Sequence, residues 1–412
     1  MKLLALSNGH GEDEVAVRVL RQLRQLCPDW DLQATPIVGE GSAYQQAEIP
    51  LYGPVQSAMP SGGFIYMDQK QVLVDLRSGL LSLTGKQLKA CRQWAASGGC
   101  ILAAGDIVPL LFAWWSGAPY AFIGTAKSEY YLRQDDSALQ SLRWPWSHWL
   151  DCVYHPWERS LLQHRRCKAV FPRDRITAQF LKQWPIPVID LGNPMLDDLE
   201  PKGVVIRHLL PTNQAIVLLL PGSRPPEAYA NWQLILEGIT PLALQGETLV
   251  FLGAIAPQLE LDRLQKIAIA SGWQPDGSSS AISAPHHWLK LQHSHLLVVP
   301  KAFNDGLHLA DIAIAMAGTA TEQCVGLGKP VIALAGSGPQ FTWAFAEAQT
   351  RLLGRSIHLV EQPSEVAKQV RELLQQSERR AIYQNNGLLR MGKPGASRRI
   401  ASQIQQRLEE PC

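Results

Sequence analysis

Within Asp311–Pro330, a predicted strand passes through small residues into a predicted helix, and a carboxylate lies in the first turn of that helix. The apolar run 312–316 predicts the strand, and the helix is expected to begin at Thr319 or Ala320. Unpaired amides at a helix N-terminus, together with the helix dipole, attract anions. Glu322 falls in the first turn, where its carboxylate could accept two hydrogen bonds from a diol such as a ribose. The segment therefore predicts a site for a phosphate and an adjoining sugar.

A second candidate anion loop follows the apolar run 215–220. Gly222 lets backbone amides approach a ligand, Ser223 adds a hydroxyl, and Arg224 offers a planar guanidinium to phosphate oxygens. The alternative is a surface turn with a solvated arginine. Farther along, Gln340 could bind sugar hydroxyls through its amide, or it could lie in an ordinary loop. Together with the first segment, these residues indicate a site for a nucleotide and an attached sugar.

The loop after the first predicted strand carries ionisable groups in a glycine-containing stretch, SNGHGED. His10 is a candidate general base, since histidine titrates near neutral pH, but it could equally cap or pack the loop. Asn8, Glu12 and Asp13 in the same loop are candidates for the acceptor side of a reaction. The two acids argue against pyrophosphate binding here.

Two further candidates follow strand ends in the N-terminal half. Asp106 could deprotonate an acceptor hydroxyl, could orient His10, or could cap the helix predicted to begin at Ile107. Lys127 could contact an acceptor or lie in an exposed loop. The residue types alone do not decide between these roles.

Two successive arrays of alternating strands and helices are expected to position these residues. The first covers 1–200 and the second 201–385, followed by a helical segment, 386–412, and the best linker candidate is 200–213. Such arrays build parallel sheets, and ligands in open α/β sheets bind beyond the carboxyl ends of the strands. We therefore expect an α/β protein of two facing Rossmann-like domains. A further short strand is expected at 152–154.

The composition narrows the class of protein. The 412 residues carry a net charge of +2 without a dense Lys or Arg run, which does not favour nucleic-acid binding. The sequence has no run of about 18 apolar residues, so no transmembrane helix is expected. Seven cysteines without metal-ligand spacing indicate reduced thiols in a cytoplasmic protein. The polar stretch with His286, His287, His293 and His295 is expected to be an exposed loop, and its spacing does not favour a metal.

Thirteen tryptophans are a high count for this length. They could pack the core, or some could form an aromatic patch at a lipid surface. The candidate members of this peripheral membrane patch, with the nearby basic residues, are Trp114, Trp115, Trp146, Trp149, Arg143 and Lys127.

The motifs carry a resemblance. The chain resembles lipid-A-disaccharide synthase and its relatives, glycosyltransferases of the GT-B fold. The matching segments are GNPMLD at 192–197, PGSR at 221–224 and GTATE at 318–322, and their order and spacing agree across the C-terminal half. The last segment, with GKP at 328–330 and Gln340, also looks like the nucleotide-sugar motif of related enzymes that use UDP-sugars. The first loop differs from that of the synthase, which leaves the acceptor open.

The resemblance implies a UDP-sugar donor substrate, no cofactor and metal-independent chemistry. By this match, Arg224 and the amides of Gly318 to Ala320 would bind the diphosphate. Glu322 would bind the ribose, and Gln340 the donor sugar. The resemblance also implies that the C-terminal helix, near 397–409, crosses back to the first domain.

We therefore expect a hexosyltransferase that moves a sugar from a UDP-type donor to a hydroxyl of a lipid or similar amphipathic acceptor. His10 or Asp106 would remove the acceptor proton. The expected location is cytoplasmic, with peripheral membrane contact through the aromatic patch. Two alternatives remain: a UDP-sugar epimerase of the same fold, or a non-catalytic relative that binds a sugar nucleotide or a lipid.

Overall fold

The chain divides into two compact units. Unit 1 comprises Met1–Asp197 with Gly392–Cys412, and unit 2 comprises Asp198–Met391. The divisions expected from the sequence come after residues 200 and 385. The structure, a computed structural model, describes residues 1–55, 80–133, 152–277, 282 and 284–409, with His10 and residues 80–82 described by their backbone alone.

Unit 1 is built on a five-stranded parallel sheet of order β2-β1-β3-β4-β5. Its strands are β1 (Lys2–Ser7), β2 (Asp31–Pro36), β3 (Cys100–Gly105), β4 (Tyr120–Gly124) and β5 (Cys167–Phe171). Its helices are α1 (His10–Leu26), α2 (Ser42–Gln46), α3 (Leu80–Ala96), α4 (Ile107–Ser116), α5 (Pro156–Leu162), α6 (Arg175–Leu181) and, from the end of the chain, α14 (Ala396–Glu409).

Both faces of this sheet are buried, as expected for a parallel sheet with helices on each side. Leu3 and Ala5 of β1 belong to one apolar cluster. Leu4 and Leu6 belong to another. Successive side chains of a strand point to opposite faces, so the continuous apolar run supplies both layers.

Helix α14 belongs to the core of unit 1 although it comes from the end of the chain. Ile400, Ala401 and Ile404 are fully buried and share a cluster with Val15 and Val19 of α1. The predicted return of the C-terminal helix to the first domain is thus confirmed.

Unit 2 contains an eight-stranded sheet of order β13-β12-β11-β6-β7-β10-β9-β8, in which β9 pairs antiparallel with both neighbours and the other pairs are parallel. Its strands are β6 (Ala215–Leu220), β7 (Leu249–Ile255), β8 (Gln274–Pro275), β9 (His287–Leu291), β10 (Ser294–Pro300), β11 (Ile312–Ala315), β12 (Val331–Leu334) and β13 (Ile357–Val360). Its helices are α7 (Glu227–Leu244), α8 (Leu261–Ala270), α9 (Phe303–Leu309), α10 (Thr319–Gly326), α11 (Trp343–Leu353), α12 (Val366–Gln375) and α13 (Ser377–Met391).

Two sequence-based expectations about elements are wrong. The histidine-containing stretch is the hairpin β9–β10 rather than an exposed loop, because Trp288, Leu289 and Leu296 bury their side chains. Residues 152–154 form bends rather than a strand.

The proposed linker is tied to unit 2 along part of its length. The carboxylate of Asp305 accepts hydrogen bonds from the amides of residues 202–205, at 2.6 to 3.1 Å. Among the described helices, none combines the length and apolar character that crossing a bilayer requires.

Candidate functional site

Two loops leave neighbouring parallel strands at the same edge of the unit 2 sheet. Strand β6 passes into residues 221–224, strand β11 passes into residues 316–318, and the two strands pair directly. The amide of Met316 donates to the carbonyl oxygen of Leu220 (2.9 Å), so the loops begin side by side. This edge, at the carboxyl ends of the strands, is where ligands bind in open α/β sheets.

Helix α10 presents its N-terminus at this edge. Gly318 is the N-cap, and among the described residues no side-chain capping hydrogen bond is made to the first turn, which begins at Thr319 and Ala320. Gln349 Nε2 of α11 donates to the Gly318 carbonyl oxygen (3.0 Å), which restrains the turn. Glu322 is only 9% exposed. The arrangement supplies the uncapped amides and the adjacent carboxylate that the sequence predicts.

The loop at 221–224 approaches the β11 end closely. Gly222 has a φ of 93°, and a Cβ atom there would lie 3.2 Å from the Met316 carbonyl oxygen. Ser223 is exposed, and its carbonyl oxygen accepts from Gln258 Nε2 (2.8 Å). Arg224 is half-buried in the same loop. Only glycine fits this backbone without moving the neighbouring strand end.

A third loop, after β12, carries Gln340. The Gln340 side chain is exposed, and its backbone amide donates to the Glu227 carboxylate (3.2 Å). Because β12 lies next to β11, this loop is at the same edge as the other two. The predicted donor-side residues at this edge are Gly222, Ser223, Arg224, Gly318, Thr319, Ala320, Glu322 and Gln340.

Unit 1 holds a cluster of polar groups at the carboxyl ends of β1, β3, β4 and β5. Thr125 Oγ1 donates to Glu12 Oε1 (3.3 Å), and Asn8 Nδ2 lies 3.3 Å from both carboxylate oxygens of Asp106. Arg173 Nη1 donates to the Thr125 carbonyl oxygen (2.7 Å). The structure thus brings two carboxyl groups together with an amide, a hydroxyl and a guanidinium.

The two carboxyl groups of this cluster have altered acidity. Burial raises the pKa of Glu12, the nearby Asp106 charge raises it further, and Thr125 and Arg173 act in the opposite direction. Burial also raises the pKa of Asp106, against hydrogen bonds from the Val108 amide and Asn8. Carboxyl groups with raised pKa values are suited to proton transfer near neutral pH.

Asp106 has one of the three roles that the sequence left open, that of a helix cap, and makes a second contact that the sequence did not indicate. Its Oδ1 accepts from the Val108 amide (2.8 Å), so it is the N-cap of α4. Its carboxylate also faces Asn8, whose Oδ1 is buried and has no hydrogen-bond partner among the described residues. An unsatisfied buried acceptor is costly, so this atom marks a place where a ligand hydroxyl or amide could donate.

Asp13 lies inside unit 1. It is 1% exposed, and Ser7 Oγ donates to its Oδ1 (2.5 Å). The Tyr44 hydroxyl lies 2.5 Å from the same Ser7 oxygen. Burial raises the pKa of Asp13 to about 7. The Asp13 side chain is therefore buried inside unit 1, and it is not exposed at the loop surface as an acceptor-side residue would be.

The remaining N-terminal candidates have different surroundings. His10 begins α1, and its side chain lies outside the described structure. Lys127 Nζ donates to Glu158 Oε2 (2.6 Å) and to the Val153 carbonyl oxygen (3.0 Å), which ties it to the start of α5. The Lys127 charge also acts on Asp106, where it partly opposes the rise in pKa that burial causes.

The proposed aromatic patch is described in part. Trp115 is 50% exposed and Leu111, one turn earlier on α4, is 42% exposed. Trp114 is half-buried, with its ring edge against His164. The guanidinium of Arg92 lies 5.2 Å from the centre of the Trp115 ring. The other proposed members, Trp146, Trp149 and Arg143, lie outside the described residues.

Three residues of these sites are not predicted from the sequence: Thr125, Arg173 and Glu227. Thr125 and Arg173 follow the ends of β4 and β5, so the rule that drew attention to Asp106 could have found them. Glu227 follows two prolines at the start of a helix, where an acidic residue is ordinary, so nothing in the sequence indicates its contact with the Gln340 loop. In the described part of the chain, no group of three or more His, Cys, Asp or Glu side chains could hold a metal ion.

Comparisons by sequence assign no family. No family model matches the chain, and no curated protein matches it. The resemblance to lipid-A-disaccharide synthase therefore remains an interpretation of the motifs.

Comparisons by structure give a clear result for the fold. The chain is similar to a putative UDP-N-acetylglucosamine 2-epimerase from Listeria monocytogenes, with a TM-score of 0.58 and 14% identity over 99% of this chain and 97% of that one. It is similar to the UDP-GlcNAc 2-epimerase from Neisseria meningitidis bound to UDP-GlcNAc, with a TM-score of 0.55 and 16% identity over 98% and 100%.

The chain is also similar to MurG from Acinetobacter baumannii, with a TM-score of 0.55 and 14% identity over 98% of this chain and 99% of that one. Matches of such low identity over nearly the full chain establish the fold and not the reaction. The fold is GT-B, as predicted from the sequence.

Proposed function

We propose that the chain is an enzyme that acts on a nucleotide sugar, with unit 2 binding the nucleotide. The observation that carries this proposal is the meeting of the 221–224 loop and the uncapped N-terminus of α10 at one sheet edge. Amides and Arg224 there suit a diphosphate, and Glu322 suits a ribose. UDP is the favoured nucleotide, since the similar structures include proteins named for UDP-GlcNAc.

Among reactions of such substrates, we propose epimerisation of the sugar as the leading candidate. Inverting the carbon beside the anomeric carbon breaks its C–H bond: one group accepts the proton, and the electrons form a C=C bond as UDP leaves. Addition of UDP back to the anomeric carbon, with a proton returned from the other face by a second group, restores the sugar. Glu12 and Asp106 are the candidate pair, because burial raises the pKa of both carboxyl groups and the Asp106 charge raises that of Glu12 further. Transfer to an acceptor hydroxyl needs one base.

The test uses the full chain with UDP-N-acetylglucosamine alone in D₂O. Epimerisation is expected to yield a second UDP-hexosamine with deuterium at the inverted carbon, seen by NMR and as a mass increase. The substitutions E12Q and D106N should each slow this by about a hundredfold or more, the usual scale of general acid–base catalysis. The control is E14Q, an exposed acid in the same turn of α1. Absence of both product and deuterium with the unsubstituted chain would refute epimerisation.

Glycosyl transfer to an amphipathic acceptor is the second candidate. The observation that favours it is the exposed apolar pair Leu111 and Trp115 on α4, with Arg92 against the Trp115 ring. Asp106 caps the same helix, so a hydroxyl acceptor bound along α4 would have a carboxylate at its end. In this reaction His10 or Asp106 acts as the base, and UDP leaves with the charge stabilised by Arg224 and the α10 amides.

Membrane contact belongs to this second candidate. Exposed aromatic and basic side chains on one surface suit an anionic bilayer interface. Liposomes containing anionic lipid should float the chain, and L111A/W115A should weaken this, whereas L244A, which removes an exposed leucine of unit 2, should not. Lack of flotation, together with no sugar transfer from labelled UDP-N-acetylglucosamine into a lipid extract, would reject the candidate. Nucleotide binding without either reaction would support a non-catalytic relative.

A further inference from the structure

Glu227 makes contacts that its position in the chain does not suggest. It is the first residue of α7 and is 8% exposed. Its carboxylate accepts hydrogen bonds from the amides of Gln340 (3.2 Å) and Phe341 (2.7 Å), more than a hundred residues later. A charged acceptor shared by two amides of one loop is a strong and directional restraint.

The loop after β12 is shaped around this carboxylate. The amide of Gly336 donates to the carbonyl oxygen of Phe341 (2.9 Å), which closes the loop on itself. A Cβ atom on Gly338 would collide with the Glu227 side chain, so the backbone packs directly against it. The position of Gln340 is therefore set by its main chain, while its side chain is exposed.

The same face of α7 also restrains the 221–224 loop. Asn231, four residues after Glu227 and 2% exposed, donates from Nδ2 to the carbonyl oxygen of Pro221 (3.0 Å). Residues four apart lie on one side of a helix. The N-terminal end of α7 thus restrains both the loop that carries Arg224 and the loop that carries Gln340.

From this geometry we infer that Glu227 is a positioning residue that holds Gln340 where it binds the sugar of the nucleotide sugar. The inference rests on the proposed function, because it assigns the sugar end of the same site. The ligand group is the hydroxyl or acetamido face of a hexose, which a primary amide can bind as donor and acceptor. Because the Glu227 carboxylate bonds to the Gln340 loop, we expect its removal to affect the sugar end more than the nucleotide end, which Arg224 and α10 would bind.

The test compares binding of UDP and of UDP-N-acetylglucosamine by calorimetry. E227A should weaken UDP-N-acetylglucosamine by about tenfold, the scale of one lost hydrogen bond, and leave UDP binding within about twofold. E227Q retains one acceptor oxygen and should fall between E227A and the unsubstituted chain. The matched control is E237A, which removes an exposed glutamate of the same helix and should change neither affinity.

A double-substitution cycle tests whether the effect passes through Gln340. Q340A alone should reproduce the E227A loss, and E227A/Q340A should lose no more than either, because both remove the same contact. Additive losses would overturn the inference, as would unchanged UDP-N-acetylglucosamine binding in E227A. Equal losses of both ligands with a lower Tm would show that Glu227 only maintains the fold, which also overturns it. If the unsubstituted chain does not bind UDP, the proposed function itself fails.

Discussion

At the scale of single residues, Asp13 makes stability depend on pH. Its carboxyl is buried beside Ser7 and Tyr44, and burial raises its pKa from 3.8 to about 7. The folded chain therefore favours the neutral carboxyl, and this contribution to stability is lost as pH rises from about 4 to about 7. The slope is about 1.4 kcal/mol per pH unit at most. D13N should remove this part of the pH dependence.

Urea unfolding at pH 5 and pH 8 measures the effect. Between these values the unsubstituted chain should lose about 2–3 kcal/mol more stability than D13N, since D13N lacks the Asp13 carboxyl that ionises in this range. E14Q, at the exposed neighbouring acid, serves as the control and should keep most of the pH dependence, because the Glu14 charge is the smallest of the causes that raise the pKa of Asp13. A D13N variant with the same pH dependence as the unsubstituted chain would contradict this account.

The Glu12–Asp106 pair makes a separate prediction about activity. Both pKa values are raised, so the carboxylate that accepts a proton becomes available only above the ordinary carboxyl range. A reaction that needs one ionised and one protonated carboxyl should have a bell-shaped pH dependence, with its acid limb above the ordinary 4.5 of a glutamate. Arg173 lowers the Glu12 pKa. R173Q should therefore move a limb assigned to Glu12 to higher pH, and an unmoved profile would count against that assignment.

The residues differ in how far the sequence could identify them. Gly222 and Gly318 could be found because a strand, a small residue and a helix follow one another locally, and that pattern has a physical meaning. The burial of Asp13 could not be found, since Tyr44, whose hydroxyl bonds to the same Ser7 oxygen as the Asp13 carboxyl, comes from another helix. Glu227 was missed for the same reason, because its partners follow a distant strand.

At the scale of elements, Gly222 tests how closely the loop after β6 must approach β11. G222A places a side chain at a φ of 93° and within 3.2 Å of the Met316 carbonyl oxygen. The left-handed backbone alone costs roughly 1–2 kcal/mol for a residue with a Cβ atom. The contact should additionally displace the loop, so UDP affinity should fall by about tenfold or more, measured by calorimetry.

Gly246 provides the matched control for this element. Its φ is 86°, and a Cβ atom there would meet nothing within 4 Å. G246A should therefore lose similar stability to urea while keeping UDP affinity. Equal UDP affinities in G222A and G246A would show that the close approach to β11 is unimportant for binding.

Elements differ in predictability for a physical reason. Strands such as β1 and β6 are continuous apolar runs buried on both faces, and a short run of this kind has few alternatives. Residues 152–154 have a similar local composition, but they form bends: the Val153 amide donates to Glu129 Oε1 and its carbonyl oxygen accepts from Lys127 Nζ. Strand β9 of the hairpin was missed because polar residues flank its buried pair, Trp288 and Leu289, and hide the short apolar run. Whether such a segment becomes a strand depends on the groups that its backbone bonds to, and these groups can be distant in the sequence.

At the scale of the whole molecule, the two units differ in how the chain builds them. Unit 2 is one continuous segment, Asp198–Met391, whereas unit 1 needs the last segment, from Gly392 onward, to complete it. Three large side chains of α14, Ile400, Ile404 and Leu408, are buried in unit 1. Burying each contributes about 1.5–3 kcal/mol, so together they approach the 5–15 kcal/mol that stabilises a whole domain.

This difference predicts how fragments behave. A fragment of residues 198–391 should fold alone and bind UDP with an affinity within about threefold of the full chain, because all proposed nucleotide ligands belong to it. A fragment of residues 1–197 should be largely unfolded, because the cluster that α14 fills would be open to water. Circular dichroism and calorimetry measure both outcomes, and joining residues 392–412 to the second fragment through a flexible linker should restore cooperative unfolding. A fragment 1–197 as stable as its extended form would mean that α14 is dispensable. Failure of the folded fragment 198–391 to bind UDP, when the full chain binds it, would mean that unit 1 contributes to nucleotide affinity.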